Sequence, residues 1–326
     1  MRRFLSLLVS LALLAAITGG ALVWYGQQRF EAPGPATAPL EVEIPPGSGL
    51  NTIARRLENA GAIESADIFR LGTRFKQAER SLKAGEYEIA PQASMADILA
   101  LLQSGKTIER RVTVPEGLTS LQIVAILNDT DTLTGEIDAV PPEGSLAPET
   151  YFFTRGESRT AILERMRSAQ SAIIEELWDD RADDLPFDTK DEALILASIV
   201  EKETGVSSER ARVAGVFVNR LRKGMRLQTD PTVIYGVAGG EGLDRPISRA
   251  DLKDVNPYNT YVIGGLPPTP IANPGKASIE AALNPATTPD FYFVADGTGG
   301  HAFARTLAEH NRNVREWRKI EAERSD

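Results

Sequence analysis

The sequence contains no cysteine and only two histidines, His301 and His310. Disulfide bonds and thiolate metal sites are therefore excluded. A zinc site would need carboxylates to complete its ligand set, and the His-Glu-x-x-His spacing of zinc hydrolases does not occur. We expect neither a metal ion nor a cofactor.

The sequence also lacks a strongly basic cluster. Its lysines and arginines are scattered, and the densest group, Arg220, Arg222 and Lys223, is small. The formal net charge of −9 would repel a phosphate polymer, so nucleic acid is not an expected partner. A chain of 326 residues, 42% of them hydrophobic, is long enough for about two domains.

One long apolar run is present, from Phe4 to Tyr25. About 20 such residues cross the hydrocarbon layer of a membrane. Arg2 and Arg3 precede the run, so the positive-inside rule predicts a cytoplasmic N-terminus, and Trp24 is placed to anchor the outer interface. A cleaved signal peptide is the alternative, but its apolar region would run for only about 7–15 residues.

Residues 1–27 are therefore predicted to form a transmembrane anchor, and everything after Gln27 is predicted to be exported. Residues 28–40 follow as a linker, because the stretch from Arg29 to Pro39 is rich in proline, alanine and glycine.

Three stretches between residues 41 and 128 share one pattern. Each has an alternating strand, a turn that contains proline, and a helix whose apolar residues recur at intervals of three and four. The units begin with Val42–Gly47, Tyr87–Pro91 and Val112–Gly117. Small β-turn-helix units of this kind need neighbours to bury their apolar faces.

The first unit runs on into Gly61-Ala62-Ile63 and resembles a LysM-like module. Such modules bind glycans that contain N-acetylglucosamine. A spacer that only positions the catalytic half is the other interpretation, and the sequence leaves both open.

A buried helix is predicted after Asp188 or Thr189, either of which can cap its first turn. It runs to about Thr204, where Gly205 stops it. The segment from Ala193 to Val200 is apolar on nearly every face, which is typical of a buried helix.

Helical phase places Glu203 on the apolar side of this helix, below Ile199 and Val200, and directs Glu201 elsewhere. Apolar surroundings and the helix C-terminus both predict a raised pKa for the Glu203 carboxyl. A carboxyl that stays protonated near neutral pH can protonate a glycosidic oxygen. The alternative is a structural ion pair with Arg210 or Arg212.

These and later motifs resemble the endolytic murein transglycosylases of the YceG/MltG-like family. The similarity covers the whole chain in order, with Pro148-Glu149-Thr150 standing where Pro-Asp-Thr is commoner. It is carried by Ile199–Thr204, Ser208–Arg210, Val216–Leu221, Gly224–Gly236, Leu252, Asn256, Tyr258–Tyr261, Gly264–Pro268, Pro270-Ile271, Pro274-Gly275, Phe291–Gly297 and Gly300–Phe303.

The resemblance implies that Glu203, the glutamate before threonine in Glu-Lys-Glu-Thr, is the catalytic acid. It implies cleavage of peptidoglycan glycan strands between N-acetylmuramic acid and N-acetylglucosamine, with 1,6-anhydro ends as products. It also implies an inner-membrane location with a cytoplasmic N-terminus and a periplasmic catalytic domain, beside peptidoglycan synthases. The expected fold is α+β: a transmembrane helix, LysM-like β-turn-helix subdomains, and an α+β catalytic domain over residues 144–326.

Polar and aromatic residues in loops suit carbohydrate binding. The candidates for substrate contact are Gln228, Thr229, Asp230, Tyr258, Asn259, Thr260 and Tyr261. Helix capping by Asp230 and packing of the tyrosines is the structural alternative. His301 is a candidate second polar group of the cleft, or a structural residue.

Two other functions remain open at this point. A hydrolase would use water and a second carboxylate, for which Asp230 and Glu149 are the candidates. A protein without catalytic activity would bind peptidoglycan through its LysM-like part.

Overall fold

A computed structural model describes residues 2–325, with side chains described from Leu7 to Arg324. The chain forms two compact units. The first holds the residues before Arg111 together with Phe152–Arg155, and the second holds Arg111–Tyr151 and the chain from Gly156 onward. Both contain helices and short antiparallel strands, so the predicted α+β class is confirmed.

The predicted apolar segment is a helix, α1 (Arg2–Glu31). Its stretch Leu7–Glu31 is long and apolar enough to cross a membrane, and its large apolar side chains are exposed. Trp24 and Tyr25 are among them. The side chains of Arg2 and Arg3, on which the predicted orientation depends, lie outside the described residues.

The segment predicted as a flexible linker is ordered against the first unit. Helix α1 continues through residues 28–31, and Phe30 is only 3% exposed. Farther on, the Gly34 amide donates to the Gln92 carbonyl, and the Gln92 amide donates to the Ala36 carbonyl. The composition of the segment did not reveal this, because one buried aromatic ring and two backbone hydrogen bonds hold it.

The first unit continues with β1 (Leu40–Ile44), α2 (Leu50–Asn59), α3 (Ala66–Phe75), β2 (Gly85–Ile89) and α4 (Met95–Ser104). Strands β1 and β2 pair antiparallel, with Val42 opposite Tyr87. The core lies between this hairpin-like pair and the helices, and its largest buried side chains include Leu57, Phe69 and Tyr87.

The predicted repeat is present as three β-turn-helix units, the third formed by β3 (Arg110–Thr113) and α5 (Ser120–Asn128). Each turn passes through the left-handed region at the same place, with φ of 77° at Gly47, 56° at Gln92 and 75° at Gly117. The equivalent helix positions are all buried: Ile53, Ile98 and Ile123, then Leu57, Leu102 and Leu127. The third unit belongs to the second compact unit, although the sequence pattern groups it with the other two.

The second unit is mainly helical. Its remaining elements are β4 (Thr150–Phe153), which pairs with β3, then α6 (Arg159–Trp178), α7 (Lys190–Glu203), α8 (Arg210–Arg222), α9 (Asp230–Ala238), a 3-10 turn (Asp251–Lys253), α10 (Lys276–Leu283), β5 (Tyr292–Ala295), β6 (His301–Ala304) and α11 (Leu307–Ser325). Helix α7 packs against α8 and α10, and its side chains form the centre of the core.

Gly72 gives a test of how α1 is joined to the first unit. A methyl group at Gly72 would approach the Phe30 ring to 2.4 Å, whereas one at Gly26 of α1 meets nothing within 4 Å. We expect Gly72→Ala to force the two helices apart, at a cost of about 1–3 kcal/mol. Hydrogen exchange of the α3 amides, measured on the full chain in detergent, should speed up roughly tenfold or more.

Gly26→Ala is the matched control and should leave the α3 amides unchanged. Equal exchange rates in the two variants would contradict the packing of Phe30 against Gly72.

Candidate active site

The start of helix α7 is fixed by side-chain hydrogen bonds in its first turn. Thr189 is the N-cap and forms a capping box with Glu192: the Glu192 amide donates to Thr189 Oγ1, and the Thr189 amide donates to Glu192 Oε2. Residues Ala193 and Ile195–Val200 are buried, and the helix ends at Glu203, with Thr204 already extended. The buried helix and its Thr189 cap are as predicted.

Glu203 faces a cavity of about 500 Å³ in the second unit. The wall combines aromatic and apolar side chains with a few polar ones, which is the usual make-up of a ligand site. Besides Glu203, its polar and aromatic members are Phe217, Arg220, Gln228, Asp230, Tyr261, Tyr292, Phe293, His301 and His310. The last residue of a buried helix therefore opens onto a space large enough for a sugar unit.

Burial raises the pKa of the Glu203 carboxyl above its ordinary value, and this is the largest influence on it. The Thr229 hydroxyl donates a hydrogen bond to Glu203 Oε1, which favours the ionised form and opposes the rise. The negative charge of Asp230 raises the pKa further, while His301 and Arg220 lower it. Since the net direction is upward, the site favours a protonated carboxyl.

Glu201 has a different surrounding. Its Oε2 accepts a hydrogen bond of 3.0 Å from the Gly275 amide at the start of α10. The residues that line the cavity do not include it. The helical-phase argument that separated Glu203 from Glu201 is therefore consistent with where the two side chains lie.

The loop before α9 brings Thr229 to Glu203. Gln228 has a φ of 50°, a left-handed conformation that costs a side-chain-bearing residue free energy. It is held by two hydrogen bonds to Thr260, since the Gln228 amide donates to the Thr260 carbonyl and the Thr229 amide donates to Thr260 Oγ1. Asp230 then opens α9, with Pro231 in its first turn.

Four of the seven predicted substrate residues lie at Glu203. Gln228, Asp230 and Tyr261 line its cavity, and Thr229 bonds to its carboxyl. The Tyr261 hydroxyl donates to Asp230 Oδ1 at 2.6 Å, so these two form a pair at the cavity wall.

The other three are placed differently. Asn259 and Thr260 are 1% and 0% exposed, so they have no surface to offer a substrate. Asn259 Nδ2 donates instead to the carbonyls of Asp251 and Asp254, and Thr260 holds the Thr229 loop. Tyr258 packs against Tyr235 with ring centroids 4.9 Å apart, outside the cavity wall. These residues shape the loops that carry the others.

Arg220 was missed as a site residue. It lines the cavity and is only 8% exposed, with Nε donating to the Phe291 carbonyl and Nη1 to the Leu227 carbonyl, both at 2.6 Å. One feature of the sequence could have indicated its burial: Arg220 lies three residues after Phe217, on the apolar stripe of α8. Arg220 joins α8, β5 and the loop before α9 around the cavity.

His301 lies in the cavity wall and is held by Glu209. Glu209 Oε2 is 2.8 Å from His301 Nδ1, and Oε1 accepts from the His301 amide at 3.1 Å. Its place in the cavity wall is consistent with a polar cleft residue, and its contacts with Glu209 are consistent with a structural residue. Within residues 2–325 no group of three histidine or acidic side chains is placed to hold a metal ion.

Two substitutions should move the pKa of Glu203 in opposite directions. Thr229→Val removes the hydroxyl that favours the carboxylate, so the pKa should rise. Asp230→Asn removes a nearby negative charge, so it should fall. Carbon-13 NMR titration of the glutamate carboxyls measures both shifts in the absence of substrate. Shifts of the same sign would contradict the assigned electrostatics.

The raised pKa also predicts how unfolding depends on pH. A carboxyl whose pKa is higher in the folded state contributes full stability below its unfolded pKa, and that contribution is lost as pH rises through the folded pKa. Glu203→Gln cannot ionise and keeps an acceptor for Thr229. Its second unit should match the wild type in free energy of unfolding near about pH 4 and exceed it at neutral pH.

Urea unfolding across this pH range tests the expectation. A stability difference between Glu203→Gln and wild type that does not change with pH would show that the carboxyl titrates normally.

Comparison with known proteins identifies the family to which the chain is similar. The YceG-like family matches residues 42–316. A protein of Bacillus subtilis named endolytic murein transglycosylase is 33% identical over 91% of this chain and 89% of its own length. A protein of the same name from Streptococcus pneumoniae is 30% identical over 84% of this chain and 58% of its own length.

A solved structure gives the same result. The crystal structure of a yceG-like protein from Listeria monocytogenes has 33% sequence identity and a TM-score of 0.51, and the match covers 85% of this chain and 99% of that one. Because the family match covers most of the chain and the relatives align over most of it, this chain belongs to the YceG-like family.

Proposed function

We propose that the chain is a membrane-anchored endolytic murein transglycosylase in which Glu203 is the catalytic acid and base. The observation that carries the proposal is a carboxyl with a raised pKa at the wall of a cavity rich in aromatic and polar side chains. The relatives are named endolytic murein transglycosylases, and we infer from that name that the substrate is murein.

The reaction needs one carboxyl that works twice. Protonated Glu203 gives its proton to the glycosidic oxygen between N-acetylmuramic acid and N-acetylglucosamine, and the bond from that oxygen to the anomeric carbon breaks. The C6 hydroxyl of the same N-acetylmuramic acid attacks the anomeric carbon and passes its proton to the Glu203 carboxylate. No water enters, the enzyme ends in its starting protonation state, and the product has a 1,6-anhydro end.

The surroundings of Glu203 suit both halves of this cycle. Burial raises the pKa of the carboxyl, which favours the protonated form that the first step needs. The Thr229 hydroxyl, with the charges of Arg220 and His301, stabilises the carboxylate that exists between the two proton transfers. Since the nucleophile belongs to the bound sugar, its attack is intramolecular and requires no positioned water.

We assign contact with the glycan to Gln228, Asp230 and Tyr261, which lie in the wall of the cavity. Thr229 acts on Glu203 itself, whereas Tyr258, Asn259 and Thr260 position the loops that carry the contact residues. Aromatic faces in the wall can stack on pyranose rings.

A water-using hydrolase is the second candidate, because Asp230 lines the same cavity as Glu203. In that mechanism Asp230 would activate water or attack the sugar. Glu149, the other candidate for a second carboxylate, is exposed and acts electrostatically on Glu116 and Tyr151, away from the cavity wall. The mass of the product separates the two reactions, since the transglycosylase product lacks one molecule of water.

We further propose that α1 spans the inner membrane once, with the N-terminus in the cytoplasm and both compact units in the periplasm. Anchoring would keep the enzyme at the membrane, where new glycan strands emerge beside the synthases. Cutting there would end the growth of a strand. The β-α-α-β arrangement of the first unit is compatible with a LysM-like module that either binds glycan or acts as a spacer.

Glu203→Gln tests the catalytic assignment. We expect it to reduce release of anhydro-muropeptides from purified glycan strands by roughly 10²- to 10⁴-fold, the usual range for loss of a general acid. Mass spectrometry of the digest measures both the rate and the presence of anhydro ends.

Glu201→Gln is the matched control, two residues earlier on the same helix and outside the cavity, and should retain most of the activity. Wild-type rates from Glu203→Gln would remove Glu203 from the mechanism, and reducing-end products from the wild-type protein would favour the hydrolase.

A further inference from the structure

A second cavity, of about 410 Å³, lies in the first unit between the end of α1 and helix α3. It has no role in the proposed chemistry. Its wall is mostly apolar and includes Leu22, Val23, Phe30, Ile68, Leu71 and Phe75. Leu71 is 65% exposed and Phe75 is 83% exposed. They lie about one turn apart on α3 and so share one face of the helix, and a contiguous exposed apolar surface marks an interaction site.

The position of the cavity along α1 indicates its depth relative to the membrane. Leu22 and Val23 belong to the stretch that is long and apolar enough to cross a membrane, and Trp24 and Tyr25 follow directly. Because Leu71 and Phe75 line the same cavity as Leu22 and Val23, α3 lies at the depth where the anchor leaves the bilayer. Aromatic residues at this depth mark the interface between hydrocarbon and water.

The contact between α1 and α3 is rigid enough to keep this depth. The Phe30 ring stacks on Phe69 with centroids 6.2 Å apart and fits against Gly72, where a side chain would collide with it. Phe30 is 3% exposed. The anchor therefore continues into the first unit as one packed structure.

The wall of this cavity also contains a few polar side chains. Gln27 and Glu31 are at the end of α1 beyond the aromatic pair, and Lys76 follows α3. The Lys76 ammonium lies 5.2 Å from the centre of the Phe30 ring. Arg70 and Arg74 pair with Asp67 and Glu79, whereas Lys76 has no carboxylate partner among the described residues.

We propose that α3 docks on the membrane surface and that a phospholipid of the bilayer occupies this cavity. Leu71 and Phe75 enter the boundary between headgroups and acyl chains, an acyl chain fills the apolar wall, and Lys76 meets the lipid phosphate. Helices that lie in the interface in this way bury one apolar face and keep cations near the headgroups. The first unit is then held on the membrane rather than swinging from it. This proposal rests on the proposed anchoring by α1.

The absence of cysteine makes a direct test possible, because any introduced cysteine is the only labelling site. An environment-sensitive fluorophore is attached at Phe75→Cys in the full chain, reconstituted in phosphatidylethanolamine–phosphatidylglycerol vesicles. Leu14→Cys, in the anchor, reports insertion of α1, and Glu88→Cys, exposed on β2, reports the aqueous side. Lipids with a quencher at a shallow or a deep acyl position give the depth of each label.

We expect the label at residue 75 to be quenched several-fold more by the shallow lipid than the label at residue 88, and the label at residue 14 to be quenched by the deep lipid. Adding Leu71→Ser should reduce the quenching at residue 75. A buried label at residue 14 with an aqueous label at residue 75 would overturn the docking of α3 and leave the anchor intact. Aqueous labels at both positions would overturn the anchor and the docking together.

Discussion

The site depends on one constraint, the placement of the Glu203 carboxyl at the end of a buried helix. Helix α7 is apolar on nearly all sides and is packed against α8 and α10, so its last residue is held at the wall of the cavity. Burial therefore raises the pKa of that carboxyl, and the hydrogen bond from the Thr229 hydroxyl lowers it by a smaller amount. The loop before α9, the left-handed Gln228 and the buried Thr260 all maintain that single hydrogen bond.

The sequence predicted the parts whose cause is local. Periodicity and a capping threonine located α7, and helical phase distinguished Glu203 from Glu201. The β-turn-helix repeat was equally visible, because each unit needs a left-handed residue in its turn and apolar residues at fixed places in its helix. Apolarity and length alone predicted α1, because a helix long and apolar enough to cross a membrane is recognised by these two properties.

What the sequence could not supply came from contacts between distant segments. Arg220 looked like one of several scattered cations until the fold brought the Leu227 and Phe291 carbonyls to its guanidinium. Asn259 and Thr260 have the side chains of sugar-binding residues, but both are buried and their hydrogen bonds go to neighbouring loop residues instead. The segment after α1 has the composition of a linker and is nevertheless packed through Phe30. In each case the deciding partner lies far away in sequence.

In the proposed function the two compact units have separate roles: the first anchors the chain at the membrane, and the second carries the catalytic carboxyl. The proposed mechanism depends on the proton of Glu203. The most direct measurement compares the pH dependence of kcat/KM on glycan strands with the carbon-13 titration of Glu203 in the free protein. If Glu203 is the acid, kcat/KM falls, as pH rises, at the pH where Glu203 loses its proton. Activity that persists unchanged after Glu203 has ionised would show that its proton is not used.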